Sequence, residues 1–258
     1  MTIKSFEDAS TNEKTMTAVY EDANGLHYVA NINEAANAGA TTIYCKQDST
    51  TRVTGGNGTN RTADIKHDLT IYANGTDFKH GEIAINSSAN DRAYNFSVEI
   101  HDAKNLYVWG YSPSAGYTQN FVIENCQNVG SSAAASKGRL FYLSNVGSDN
   151  GTVNATIKNC TVKNVDSPVY HNADGSMTVS GCKFENCAVP INNNYKSEGT
   201  RTDTIENCVF TSCGCTSNMN EGISKYAAPI RYASTSTGKM TVNLTNNTIT
   251  GNPTGLFD

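Results

Sequence analysis

The chain has little charge. Only 17% of its 258 residues are Asp, Glu, Lys or Arg, and the formal net charge is −5. A nucleic-acid-binding domain needs an excess of clustered basic residues to meet the phosphate backbone, and here the basic residues are scattered. The composition therefore argues against a nucleic-acid partner. Asn, Thr, Ser and Gly are abundant instead, which suits a fold with many solvated bends.

Long apolar runs are also missing. None approaches the about 20 residues of a membrane-spanning helix, so no membrane insertion is expected. Residues 1–17 are polar and lack the charged and apolar regions of a signal peptide. We interpret 1–17 as a linker or a disordered segment, and 18–258 as one elongated domain with an ample core. The alternatives for the whole chain are a cytosolic protein and an excised part of an exported one.

One short phrase recurs five times. The residue three places before the aligned position is always aliphatic, and the residue directly before it is Asn or, once, Gly181. The five aligned positions are Cys126, Cys160, Cys182, Cys208 and Asn247. Apolar and polar residues alternate on both sides, which indicates half-buried strands. Asn and Gly tolerate left-handed backbone geometry, so they predict a sharp bend between two strands.

A third apolar piece follows each phrase, as 140–143, 168–171, 190–193 and 229–232. The phrase returns after 34, 22, 26 and 39 residues, as expected for three short strands per repeat with loop insertions. One such repeat has no way to bury its apolar side chains alone, whereas stacked repeats about 4.8 Å apart do. The pattern predicts a solenoid of stacked rungs.

With its Asn-Cys and Asn-Asn bends, the chain resembles the pectate-lyase-like right-handed parallel β-helix superfamily over about residues 30–258. The resemblance implies an all-β, single-stranded right-handed parallel β-helix (a solenoid), with the bend residues forming a ladder. It selects no activity, because the superfamily includes lyases, hydrolases, esterases, adhesins and phage tailspikes. Such proteins are usually exported, so we expect a bacterial extracellular or cell-surface location with the export signal outside this chain. Residues 255–258 stop within an expected third strand, so we expect either continuation into further domains or packing of this end on a partner.

The N-terminal region predicts a cap. Residues 18–29 indicate a hairpin with an Asn24-Gly25 turn, 32–38 a short helix, and 42–45 a strand. In the superfamily a short helix covers the open end of the core, so 18–45 would cap rungs formed by 65–258. Residues 96–111 predict two strands whose register against the later rungs stays ambiguous.

The eight cysteines permit disulfides by number, but their register favours free thiols. Four of them align on successive rungs, and Cys187 and Cys213 share a second position five residues later. Equivalent side chains point the same way, which favours an inward stack of small apolar thiols over bridges. Cys213 and Cys215 are the expected exception. The cysteines are not clustered with His, so no zinc site is expected.

The strand preceding each phrase offers a candidate binding face, since the superfamily's groove lies there. Aligned on its Pro residues, this strand points its third residue outward. The outward set is Tyr142, Tyr170, Asn192 and Arg231, to which flanking loops would add Tyr195 and Arg201, and also Asp166, Asp174, Lys196 and Tyr226. Aromatic rings stack on sugar C–H faces, and guanidinium groups pair with carboxylates or hydroxyls. The alternative is an ordinary solvated exterior.

Catalytic residues are less evident. A lyase of this fold needs a basic residue near a calcium-binding carboxylate cluster, and a hydrolase needs paired carboxylates. The outward positions contain no Asp or Glu, and Glu124 and Glu206, which share a register, are separated by Lys158 and Ser180.

Two histidines are candidate acid–base residues. His101-Asp102-Ala103-Lys104 is the one compact acid–base cluster, and we expect it in a solvated turn. His171 occupies an inward-alternating position, so we expect a buried, hydrogen-bonded core residue rather than a base.

The preferred hypothesis is a β-helix module that binds glycan or another extracellular ligand along its exposed strand face, without a cofactor. The first alternative is a polysaccharide lyase or glycoside hydrolase with a divergent site, with Ca²⁺ if it is a lyase. The second alternative is a structural stalk.

Overall fold

The structure is a computed structural model that describes residues 16–50, 62, 64–131, 138–146, 149–195, 200–214, 228–234 and 238–251. The protein is all-β, with 55% strand and 3% helix, and its mostly parallel strands curl into a half-barrel of two sheets. The predicted all-β, parallel architecture is therefore confirmed at this level.

The first four strands belong to one sheet, after which the chain alternates between two sheets. The strands are β1 (Ala18–Asp22), β2 (Gly25–Val29), β3 (Thr42–Cys45), β4 (Leu69–Tyr72), β5 (Asp77–Ile85), β6 (Phe96–His101), β7 (Lys104–Tyr111), β8 (Thr118–Glu124), β9 (Gln127–Val129), β10 (Phe141–Ser144), β11 (Thr152–Lys158), β12 (Thr161–Lys163), β13 (Val169–His171), β14 (Asp174–Ser180), β15 (Lys183–Glu185), β16 (Ile191–Tyr195), β17 (Thr200–Glu206), β18 (Val209–Thr211), β19 (Ile230–Ser234), β20 (Lys239–Thr245) and β21 (Thr248–Thr250).

The first sheet has ten strands in the order β2-β1-β3-β4-β6-β8-β11-β14-β17-β20. The second sheet has eleven, with β19-β16-β13-β10-β7-β9-β12-β15-β18-β21 in line and β5 beside β7. From β8 to β19, each of four sequence repeats places one strand in the first sheet and two in the second. The predicted third strands are thus present as β10, β13, β16 and β19.

The bends between the sheets have the predicted backbone. Asn125, Asn159, Gly181, Asn207 and Asn246 all have positive φ, between 53° and 61°. An L-residue with a branched or bulky side chain adopts this region only with strain, whereas Asn and Gly do so readily. Each bend therefore turns the chain sharply and starts the next strand in the same register.

The aliphatic and thiol positions of the repeats form columns in the core. Ile123 pairs with Ile157, and Ile157 with Val179. All seven described cysteines are free and buried, which confirms the thiol stack. Cys182 Sγ lies 3.5 Å from the carbonyl oxygen of Ile157 in the preceding repeat, and Cys160 and Cys208 make equivalent contacts. Cys213 is free as well, so its predicted exception was wrong; Cys215 lies outside the described residues.

The predicted hairpin and helix are both present at the N-terminal end. β1 and β2 pair antiparallel, and β1 also pairs with β3. Helix α1 (Ile32–Asn37) begins after Asn31, whose side chain accepts a hydrogen bond from the Glu34 amide, while Glu34 accepts from the Ala30 amide. This reciprocal cap satisfies otherwise unpaired N–H groups, and Ile32 and Ala35 of the helix are buried.

Candidate functional site

The predicted outward residues lie in one row on the second sheet. Tyr142 pairs with Tyr170, Tyr170 with Asn192, and Asn192 with Arg231, and all four side chains are half-buried. The structure adds Trp109 of β7, which pairs with Tyr142. These five residues are called the outer row. None of them is acidic.

Two tyrosines of the outer row are packed face to face. The ring centroids of Tyr142 and Tyr170 are 4.4 Å apart with an interplanar angle of 11°. The guanidinium of Arg139 lies 5.0 Å from the centroid of Tyr142, within the range of a cation–π contact. The Tyr142 ring is thus in contact with one aromatic ring and one cation. The stacking of this ring on a sugar stays a prediction, and burial raises the pKa of its hydroxyl.

Arg139 is itself held by an acid. Its Nε and Nη2 donate to the two carboxylate oxygens of Asp166 at 2.8 and 2.5 Å, the bidentate geometry of a strong ion pair. The Asp166 side chain is only 2% exposed, so this predicted flanking residue is not a surface ligand. It fixes the cation that lies on Tyr142.

The polar members of the row are also paired. Arg231 Nη1 donates to Asn192 Oδ1 at 3.0 Å, and Asn172 Nδ2 donates to the Tyr170 hydroxyl at 2.7 Å. These contacts hold an amide, a phenol and a guanidinium in fixed positions along successive strands. The arrangement offers hydrogen-bonding groups at strand spacing to an extended ligand.

Arg201 does not belong to this surface. Its side chain and that of Asp203 are 0% exposed and form an ion pair, with Arg201 Nη2 2.8 Å from Asp203 Oδ2. Both residues share the inward parity of Ile205 in β17, so the assignment of Arg201 to a flanking loop was wrong. The alternation that places Arg201 and Asp203 on the same side as Ile205 is the sequence signal that would have predicted their burial.

The other predicted flanking residues add little to the description of the site. Asp174 begins β14 and is half-buried. Tyr195 ends β16, but its side chain lies outside the described residues, as do Lys196 and Tyr226 entirely.

The predicted acid–base cluster is divided between a strand and a turn. Asp102 is exposed at the bend after β6, with φ 58°, whereas Lys104 begins β7 and its Nζ lies 3.1 Å from Asp48 Oδ1. His101 instead belongs to the outer face of the first sheet. Its two ring nitrogens are each 3.5 Å from a glutamate, Glu99 and Glu124. The expectation of one solvated turn was therefore wrong for His101.

This histidine lies between an aromatic ring and an ion pair. The rings of Tyr72 and His101 stack with centroids 5.2 Å apart, and Lys158 Nζ lies 3.0 Å from Glu124 Oε1. The hydrogen bond from Lys158 lowers the pKa of the Glu124 carboxyl. The cluster resembles an ordinary row of cross-strand pairs.

Within the described part of the chain, no three His, Cys, Asp or Glu side chains are grouped closely enough to hold a metal ion. Nor does that part contain a helix long and apolar enough to cross a membrane. Comparisons with protein-family models, with curated proteins and with solved structures found no match for the chain.

Proposed function

We propose that the repeats stack as a single right-handed parallel β-helix of the pectate-lyase-like type, with 18–45 as its cap and 65–258 as its rungs. The in-register parallel pairing of β8, β11, β14, β17 and β20 supports this arrangement. So do the positive-φ bends at the same position of each repeat and the continuous columns of buried thiols and aliphatic side chains.

The function that the geometry supports best is binding of an extended glycan along the outer row. The observation that carries this proposal is the alignment of Trp109, Tyr142, Tyr170, Asn192 and Arg231 on five hydrogen-bonded strands. A linear polymer with hydroxyl groups at regular intervals could meet a phenol, an amide and a guanidinium in sequence. The host would be a larger bacterial protein that is secreted or displayed on the cell surface.

Binding would use ring edges and polar groups rather than ring faces. The Tyr142 ring already stacks on Tyr170 and has the Arg139 guanidinium 5.0 Å from its centroid, so these two contacts compete with a sugar for the ring faces. The rigidity of the paired side chains limits the entropy lost when a ligand orders them. A ligand would therefore gain from preorganised donors and acceptors more than from a large buried area.

The first test is a glycan array followed by titration of any hit against two variants. Tyr170→Ala removes a phenol and half of the ring pair, and Arg231→Met removes the guanidinium while keeping an apolar stem. Each change should weaken binding about tenfold, which corresponds to the loss of one hydrogen bond. Thr178→Ala, on the outer face of the first sheet, is the matched control and should bind as the unaltered protein does.

A second arm tests for catalysis. The protein is incubated with acidic and neutral polysaccharides, with and without calcium, and chain length and unsaturated products are followed. Shortening of any polymer would overturn the binding-module proposal, and the products would separate a lyase from a hydrolase. Unchanged affinity in both outer-row variants would exclude the outer row as the binding face.

A further inference from the structure

Each of three neighbouring outer-row residues is followed in the chain by an inward polar residue. Tyr170 precedes His171, Asn192 precedes Asn193, and Arg231 precedes Tyr232. Because successive strand residues point to opposite sides, a polar layer in the core lies directly behind the outer row. The exposed fraction is 1% for His171 and 0% for Asn193.

The Asp203 carboxylate joins four strands in this layer. Its Oδ1 accepts from the Met177 amide of β14 at 2.8 Å, and its Oδ2 accepts from Asn193 of β16 at 3.2 Å and from the Tyr232 hydroxyl of β19 at 2.7 Å. Arg201 of β17 donates to both oxygens. Burial and the nearby Asp203 charge raise the pKa of the Tyr232 hydroxyl, which therefore stays a donor.

His171 is the unsatisfied member of the layer. Arg201 Nη1 donates to its backbone carbonyl at 2.7 Å, but neither ring nitrogen has a hydrogen-bond partner among the described residues. The ring packs 6.1 Å from Phe141 of β10. Burial, and secondarily the Arg201 charge, holds the pKa of this imidazole well below its usual range.

The charged and titratable groups near this imidazole are few. Arg201 of β17 opposes protonation, and Asp203 and Tyr232 lie beyond it in the same hydrogen-bonded layer. The β10 side presents the apolar Phe141, and the backbone of Val153 in β11 favours the protonated ring less than burial and the Arg201 charge oppose it. An added proton on His171 would thus be a second buried cation next to Arg201, without a carboxylate of its own.

We propose that this layer couples acidification to the outer row: protonation of His171 separates β13 from the Arg201–Asp203 pair and displaces Tyr170, Asn192 and Arg231. The sign follows from the buried neutral ring. As pH falls below the ordinary imidazole range near 6.5, an opened state gains a proton that the closed state resists, so opening is favoured. The effect on glycan affinity rests on the proposed function, whereas the opening of β13 in acid does not.

The structural side is tested without ligand by amide hydrogen exchange between pH 7.5 and 4.5, corrected for intrinsic rates. Protection in β13, β16 and β19 should fall in acid while protection in β4 and β6 persists. In His171→Phe and His171→Leu the midpoint of this loss should move at least about one pH unit lower. His101→Gln, which removes the half-exposed histidine of the first sheet, should leave the midpoint unchanged.

Three outcomes would overturn the inference: full protection of β13, β16 and β19 down to pH 4.5, an unchanged midpoint in both His171 variants, or parallel loss in β4 and β6. If the variants fail to fold, the wild-type exchange profile still tests the inference, because the first and third outcomes need no variant. With a glycan hit in hand, affinity should drop between pH 7.5 and 5 in the wild type but not in a folded His171 variant. A missing glycan hit would count against the proposed function alone.

Discussion

The second sheet is built differently in its early and late parts. β5 and β7 are long, with nine and eight residues. In later repeats the same path is divided into a three-residue strand, such as β12, and a separate strand, such as β13. A second set of positive-φ residues, each four places after the aligned cysteine, marks the division: Asn164, Asn186 and Ser212.

The change occurs at β7, which pairs with two successors. Its first residue, Lys104, pairs with Gln127 of β9, while Val108–Tyr111 pair with β10. Backbone groups between these two contacts would lose their partners. Asn128, which is fully buried, supplies them: its Oδ1 accepts from the Leu106 amide, and its Nδ2 donates to the carbonyls of Leu106, Gly138 and Arg139.

One polar side chain thus allows β7 to pair with both β9 and β10, a branching of the second sheet that is called the fork. Asn128 stands in a column that is otherwise apolar, since it pairs with Val162, and the column continues through Phe184 and Phe210. A buried amide is tolerated there because its donors and acceptor are satisfied. Later repeats have no fork and place aliphatic or aromatic side chains at the same position.

The largest expected effect comes from removing the fork amide. Asn128→Val introduces the residue of the next repeat but leaves the Leu106 amide and several carbonyls buried without partners. Each unsatisfied group costs about 1–3 kcal/mol, so the free energy of unfolding should fall by about 3 kcal/mol or more in chemical denaturation. Asn120→Val, on the exposed face of β8, should change it by about 0.5 kcal/mol or less. A loss at Asn128 as small as the control's would remove the fork argument.

A smaller loss of stability is expected at the positive-φ asparagines. Those of the early part, such as Asn105, and of the late part, such as Asn159, differ in their side-chain contacts. Asn159→Ala places an alanine at φ 53° and should cost about 1–2 kcal/mol, whereas Asn159→Gly should be nearly neutral. Asn105→Gly in β7 should cost about 1 kcal/mol, because Asn105 donates to Asp77 and accepts from the Val129 amide. Equal stability of the two glycine variants by thermal denaturation would contradict this distinction.

The smallest effect concerns the thiol column, which begins only at Cys126; Ala103 stands at the corresponding place before it. Cys160→Ala should therefore cost only about 1 kcal/mol. Hydrogen bonding with Cys160, together with burial, raises the pKa of the Cys182 thiol to about 12, so the thiolate is scarce at pH 8. Labelling of Cys182 by a thiol reagent, followed by mass spectrometry, should require unfolding. Rapid labelling of Cys182 in the folded protein would contradict its burial.

Sequence patterns predicted the repeated features and missed the singular ones. The column of Cys126, Cys160, Cys182 and Cys208, the left-handed bends and the row from Tyr142 to Arg231 could be read because five copies reinforced one register. Trp109 could not be aligned, since β7 lacks the divided path of later repeats. Asn128 and Arg201 were missed because a polar residue at an inward position looks like a loop residue until its partners, which are distant in sequence, are known.

The buried guanidinium also limits how freely the repeats could be exchanged. Arg201 pairs in register with Gly175, which has no side chain, whereas Gly175 pairs on its other side with Val153. Deleting the repeat β14–β16, which contains Gly175, would place Arg201 against Val153 and remove Asn193, whose side-chain oxygen accepts from Arg201. Repeats that look modular in sequence are therefore order-specific at this point, and shuffling or duplication should be tolerated elsewhere along the stack before it is tolerated here.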